Sequence, residues 1–277
     1  MTTLHSVPRP TRGVVNPAAG ERMFRLERYL PEADLSPFVD FFWLVAWSLP
    51  DGVTHVQRTL PRHAIHVVFD EGRTAVFGVM TGSFEYTLRG SGRVLGVSFR
   101  PGAFRAVLRQ PMQSITDRTL PLSAVFDCDD AETERSVLSA PDDAGMVTAA
   151  SALLRRVLPA PDPQVERIAG ILHVIETEAG ITQVRQLADH TDIGVRKLQM
   201  LFKDYIGASP KWIIRRKRLL DAADLLAKGS DIDLAALAQQ LGYYDQAHFT
   251  TDFEKLVGKP PADYRRSCKA IDAAPIK

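Results

Sequence analysis

The densest run of positive charge in this 277-residue chain is Arg215-Arg216-Lys217-Arg218, with Lys211 just ahead of it. Clustered guanidinium and ammonium groups suit the neutralisation of a polyanion backbone, although a charge run can equally be a solvated helix face. Two sets of polar side chains flank the run. Arg196, Lys197, Gln199, Met200 and Lys203 interleave with Leu198, Leu201 and Phe202, while Gln246, His248, Thr250 and Thr251 interleave with Phe249 and Phe253. Apolar residues three and four apart make the buried stripe of a helix, so the polar sets fall on outward faces. Chemistry elsewhere is thin. His63, His66 and the following Glu71 suggest a metal site, but a His-x-x-His spacing on a strand sends the two rings to opposite faces. Cys128 stands among Asp127, Asp129 and Asp130, whose like charge disfavours a thiolate. We therefore expect no catalytic residue, no metal and no cofactor. The competing reading is a barrel-type enzyme, a metal oxygenase or isomerase with an accessory helical part. It requires convergent His and Glu ligands, and the sequence has no clustered three-ligand set.

The elements that must position the polar sets form a repeat. Leu187-Ala188, Leu198, Phe202, Gly207 and Pro210 recur as Leu237-Ala238, Phe249, Phe253, Gly258 and Pro261, at an offset of 50 for the first pair and 51 afterwards. Each copy reads as a helix-turn-helix. In the first, Thr191-Asp192-Ile193-Gly194 is the turn and a second helix runs from Val195 to about Ile206; in the second, Gly242-Tyr243-Tyr244-Asp245 is the turn before a helix from Gln246. Between the copies, Ser209-Pro210 starts a helix as N-cap and first-turn proline, and Gly229 stops it. About 18 residues at 1.5 Å per residue give a rod of roughly 27 Å. That approaches the ~34 Å between successive major-groove faces of B-DNA, so a stiff rod could set both outward helices in neighbouring grooves.

The first half reads differently. Six β-rich runs, Phe41–Leu49, Thr54–Leu60, Ile65–Phe69, Ala75–Val79, Phe84–Leu88 and Val94–Phe99, are punctuated by glycine turns and predict a small antiparallel barrel or sandwich. Helical spacing follows Pro101-Gly102, and three prolines within 159–163 break the chain. The expected fold class is α+β, with a tail over 1–20, a β-rich sensory domain with C-terminal helices over 21–158, and an all-α domain over 164–268. Trp43 and Trp47 read first as packed core and second as the aromatic walls of a ligand cavity, and with His66 they are the candidate ligand-binding residues. A composition of 45% hydrophobic and 24% charged residues is globular, and a net charge of +1 leaves nucleic-acid contact to local patches. Two cysteines without a framework, no secretory signal and no apolar run of roughly 20 residues point to the cytoplasm and away from a membrane.

From about Ile181 to Arg266 the chain resembles the AraC/XylS-type DNA-binding domain. The resemblance rests on Gln199-x-Leu201-Phe202, Gly207-x-Ser209-Pro210-x-Trp212, Leu241-Gly242-Tyr243-x-Asp245-Gln246-x-His248-Phe249-x-x-x-Phe253 and Gly258-x-x-Pro261-x-x-Tyr264-Arg265. Trp43, Leu60-Pro61 and Gly96-Val97-x-Phe99-Arg100-Pro101-Gly102 are similar to an N-terminal domain found on such regulators. The resemblance implies a transcription regulator in which Arg196, Gln199 and Met200 from one helix and Gln246, His248, Thr250 and Thr251 from the other meet double-stranded DNA. Lys197 and Lys203 are further candidate DNA-binding residues, and Lys211 and Arg215 belong to the element expected to neutralise the backbone. A small-molecule effector is the expected partner of the β-rich domain, with RNA polymerase and a second copy of the chain as further partners. Two departures stand out: Met200 replaces a frequent arginine, and Gly194 replaces the usual serine cap. The second unit, with six acidic residues between Asp231 and Asp263 against Lys255 and Lys259, is expected to add the weaker contacts.

Overall fold

The computed structural model of the chain describes His5 and residues 23–60, 62–228 and 232–272. The expected tail over 1–20 and the stop at Gly229 lie outside the described residues, His5 excepted. Eight strands form two antiparallel sheets: β1 (Arg25–Tyr29), β2 (Val39–Ser48), β3 (Thr54–Thr59), β4 (His66–Phe69), β5 (Ala75–Phe77), β6 (Phe84–Arg89), β7 (Ser91–Phe99) and β8 (Thr119–Leu120). Six of them run in the order β1-β2-β7-β4-β5-β8, and β3 pairs with β6 as a separate ribbon. The strand pattern of the sequence thus recurs here, with β1 and β8 added at the edges of the large sheet. Neither was recognised beforehand: Arg25–Tyr29 has three charges in five residues, with Glu27 and Arg28 breaking the alternation, and β8 is only two residues long.

Strand alternation divides the large sheet into two faces. Phe42, Leu44, Val67, Phe69, Leu95, Val97 and Phe99 point to one side and are buried, packed with Phe104, Met146, Ala150 and Leu154 of the following helices. Those helices are α1 (Phe104–Leu108), α2 (Asp130–Leu138) and α3 (Asp143–Arg155). The other face carries Phe41, Trp43, Val45 and Trp47 from β2, with His66 and Val68 from β4, and lies under the β3–β6 ribbon. Glycines make room for the indoles. Trp43 sits across from Gly96 and Trp47 across from Gly92, and a Cβ on Gly96 would lie 2.0 Å from the Trp43 ring.

After the proline-rich segment come α4 (Gln164–Thr177), α5 (Val184–Thr191), α6 (Val195–Leu201), α7 (Pro210–Ala227), α8 (Leu234–Gln240), α9 (Gln246–Val257) and α10 (Pro261–Asp272). The first unit does not end as an uninterrupted α-helix, because α6 widens into a π-turn over Phe202–Ile206 before Gly207. That turn is wedged against the 3₁₀ turn Met112–Ile115. Gly207 has φ +86°, a Cβ there would lie 2.9 Å from the Met112 carbonyl oxygen, and Thr116 Oγ1 donates to the Gly207 carbonyl at 2.5 Å. Arg105 Nε donates to Asp204 at 2.7 Å and the Tyr205 hydroxyl to Asp162 at 2.9 Å. One buried cluster therefore continues from the β-sheet through Ile168, Leu187, Leu198 and Phe202 to Ile213 and Ile214 at the start of α7. The end of α7 belongs to a second cluster with Leu237, Phe249, Phe253, Val257 and Tyr264, and Leu60 from the first half joins it. The long helix is thus a strut shared by two cores.

Candidate functional site: a nucleic-acid interface and a cavity

The first unit turns at Asp192, whose φ of +52° caps α5, and the next helix begins after Gly194, which offers no side-chain cap. Leu198 and Phe202 are fully buried, so their neighbours are turned outward: Arg196, Lys197, Gln199, Met200 and Lys203 are all exposed, Met200 to 62%. That face combines a guanidinium, two ammonium groups and an amide, the donors that suit guanine edges, phosphates and adenine edges in turn.

The second unit is better capped. Asp245 accepts from the His248 backbone N–H at 2.7 Å, and α9 then buries Phe249 and Phe253. Gln246, His248 and Thr251 are exposed and Thr250 is half-buried; Thr251 spends its hydroxyl on the Ala247 carbonyl at 3.0 Å. Tyr244, which the sequence reading left inside the turn without a role, is 94% exposed directly ahead of this helix. A large aromatic in a turn of polar residues was the signal that could have marked it.

The basic run divides on α7. Lys211 and Arg215 are exposed, but Arg216 is buried, Lys217 reaches Asp221 at 2.5 Å, and Arg218 lies over the Tyr243 ring at 4.5 Å. Arg215 approaches Asp252 at 3.5 Å, and the Tyr243 hydroxyl donates to the same carboxylate at 3.3 Å. The Arg218–Tyr243 and Arg215–Asp252 contacts bind the second unit to the strut, so part of the positive charge expected to meet phosphates instead helps to hold the second unit in place. Burial lowers the affinity of Arg218 for its proton, consistent with an internal position.

A cavity of about 260 Å³ opens between the large sheet and the β3–β6 ribbon. Trp43, Trp47 and His66 all line it, together with Phe41, Phe77, Leu88 and Val94. Sequence reasoning missed its charged residues, Arg28, Arg62 and Asp70. Trp43 Nε1–H donates to His66 Nδ1 at 3.2 Å, and Trp47 Nε1–H donates to the Arg89 carbonyl at 3.0 Å. Burial and the nearby Arg62 and Arg28 push the His66 imidazole down to about 3, so it is neutral at ordinary pH. His63 precedes β4 instead of sharing a strand with His66; its imidazole is likewise held near 3, first by burial and then by Arg216 and Arg62. Among the described residues, no three His, Cys, Asp or Glu side chains gather as a metal set. The Cys128 thiol is pushed up, but burial outranks the neighbouring aspartates that the sequence alone had suggested as the cause. No described helix is long and apolar enough to cross a membrane.

Comparison with known proteins places names beside these parts. Residues 187–267 match the family described as a helix-turn-helix domain, and residues 27–121 match a domain of unknown function, DUF6597. A Streptomyces lividans protein described as an AraC-like transcription regulator is 31% identical over 105 residues, 38% of this chain and 34% of that protein. The transcriptional activator RhaS of Pectobacterium carotovorum (strain PC1) is 33% identical over 79 residues, 28% of each chain. The chain thus spans about a third of the length of the curated relatives it matches. Among solved structures, the DNA-binding domain of AdpA in complex with a target DNA shares 27% identity and a TM-score of 0.31, covering 39% of this chain and 95% of that one. With two bihelical units on one strut and the family match falling on both of them, the C-terminal third of this chain is a double helix-turn-helix domain, similar in sequence to part of an AraC-like transcription regulator.

Proposed function

We propose that the protein is a sequence-specific, DNA-binding transcription regulator whose β-rich half receives a small molecule. The observation that carries the reading is the pair of exposed polar helix faces, on α6 and α9, joined by a single 18-residue helix whose two halves are packed into two separate cores. A strut held at both ends fixes the spacing of the units, and a spacing of roughly one helical turn of DNA is what two neighbouring major grooves require. In this reading Arg196 and Gln199 read base edges, Met200 makes apolar contact, and Lys197, Lys203, Lys211 and Arg215 neutralise phosphates. Gln246, His248, Thr250 and Thr251 supply the second set of contacts. RNA polymerase and a second copy of the chain are the further partners the reading expects.

The route from cavity to DNA runs through the β3–β6 ribbon. Gln57, Thr59, Tyr86 and Leu88 face the cavity, while Arg58, between Gln57 and Thr59, points the other way. Arg58 pairs with Glu85 and reaches the Val257 carbonyl at the C-terminal end of α9, over Gly258. A cation there satisfies an orphan carbonyl and the negative end of the helix dipole. A molecule that shifted the ribbon would therefore pull directly on the second unit. The test is a footprint and gel shift on the DNA upstream of the protein's own coding region at two salt concentrations. Saturable, site-preferring binding that weakens with salt is expected, and its absence rejects the reading.

A further inference from the structure

Two arginines face the cavity, and among the described residues no carboxylate is hydrogen-bonded to either. Arg28, on β1, is 8% exposed and its Nε has no hydrogen-bond partner. Arg62, between β3 and β4, stacks on the same ring: the two guanidinium carbons lie 4.9 and 5.2 Å from the Phe41 centroid. Asp40 acts on both, and Glu176 on Arg62, only through space. Two desolvated like charges that share one apolar ring and act on each other through space are costly unless an anion joins them. A guanidinium stacked by its face still offers its N–H edge, which is the edge that binds a carboxylate bidentately.

One more polar group stands at the same end, and a second lies on the same sheet face without lining the cavity. His66 uses Nδ1 to accept from Trp43, which places the proton of the neutral ring on Nε2 as a donor. Ser98, opposite both Phe41 and His66 in the sheet register, is fully buried and its hydroxyl has no partner. Away from that end the walls are mostly apolar, with Trp43, Trp47, Phe77, Met80, Leu88 and Val94 beside Gln57, Thr59 and Tyr86, and the one carboxylate in the lining, Asp70, is already engaged by Arg73 and the Tyr86 hydroxyl. The volume of about 260 Å³ lies just under the ~300 Å³ where pockets for drug-sized ligands begin, so the occupant has roughly a dozen non-hydrogen atoms.

We infer that this cavity binds a small monocarboxylate with an apolar body, its carboxylate held by Arg28 and Arg62 and its aromatic or aliphatic part laid along Trp43 and Trp47. A dianion suits it less, since Asp40 and Glu176 already act on these positive charges through space. The inference names the ligand class of the regulator proposed above and rests on that reading only for its consequence, not for the binding itself.

Calorimetric titration of the full chain with 4-phenylbutyrate and octanoate, against 4-phenyl-1-butanol and 4-phenylbutylamine, tests it. At least one acid is expected to bind about tenfold or more tightly than the alcohol and the amine, the margin of one charge-assisted bond. Arg62→Met is expected to bring the acid down to the level of the alcohol and to leave the alcohol unchanged, with Arg62→Lys in between. Arg28→Met is expected to act alike, and if it fails to fold the Arg62 pair carries the comparison. Equal binding of acid and alcohol, binding of no acid, or an acid preference surviving in Arg62→Met would each overturn the inference. Gel shifts on the same preparations separate the two readings: specific DNA binding without acid preference refutes the carboxylate and spares the regulator, and acid preference without DNA binding does the reverse.

Discussion

Gly96→Ala is the most exacting perturbation the cavity offers. The new methyl would lie 2.0 Å from Cε2 and 2.1 Å from Cζ2 of Trp43, and the atoms in the way belong to a rigid ring and not to the tip of a flexible chain. Trp43 must therefore leave its place. Overpacking of this kind costs about 1–3 kcal/mol. The displaced indole also gives up its bond to His66 Nδ1, worth about 1 kcal/mol. The lower backbone entropy of alanine in the unfolded chain returns at most ~1 kcal/mol, so a net loss of roughly 2–3 kcal/mol is expected. At ~2–4 °C per kcal/mol, Tm falls by on the order of 4–12 °C. Two control glycines calibrate the reading. Gly92→Ala meets Trp47 at 2.4 Å on a more open part of the sheet and should cost less, while Gly170, exposed in α4 with nothing within 4 Å, should stabilise by about 1 kcal/mol as alanine. The assay is thermal unfolding followed by tryptophan fluorescence, with acid binding measured alongside. A Gly96→Ala protein as stable as wild type, or one that kept its affinity for 4-phenylbutyrate, would refute the account of how the cavity wall is built.

Other outcomes follow from the same geometry. Arg196→Ala should cost about 1–3 kcal/mol on the preferred DNA site alone, whereas Arg215→Ala should weaken binding almost equally on all sequences and flatten the salt dependence, both read from gel shifts. Asp245→Ala removes the cap on α9 and should destabilise the second unit by about 1 kcal/mol, visible as faster amide exchange over 246–257 with 195–206 unchanged. The pH dependence comes from His63 and His66, whose folded-state values near 3 lie below the ordinary 6.5. Between those limits the unfolded chain takes up protons that the folded chain refuses. Stability is therefore fully present above pH 6.5 and falls as the pH drops towards 3, by up to about 1.4 kcal/mol per pH unit for each histidine. Denaturant unfolding from pH 7 to 4.5 should show this slope, and His66→Gln should reduce it; an unchanged slope would place His66 in water.

The C-terminal domain was legible because its information is local. Periodicity of Leu198, Phe202, Phe249 and Phe253, the Ser209-Pro210 start and the repeat at 50–51 residues each act within a few turns of chain, and the fold follows them. The outward residues were legible for the same reason, as the complement of a buried stripe. Which members of the basic run stay free was only partly so: Lys217 pairs with Asp221 one turn on in its own helix, but Arg216 faces His63 of the loop before β4 and Arg218 the ring of Tyr243 in the second turn. The π-turn after Leu201 is likewise a tertiary product, imposed where the first unit is wedged against Met112 and Thr116.

In the β-rich half the balance is reversed. Alternation announced most strands and brought forward Trp43, Trp47 and His66, all of which line the cavity. It could not reveal that Arg28 and Arg62, 34 positions apart, share one phenylalanine ring, or that Arg58 reaches across 199 positions to the end of α9. Side-chain period and capping are properties of neighbours along the chain, and the amino-acid order determines them. Strand order, and with it the company each charge keeps, depends on which distant segments pair, and only the folded structure decides that.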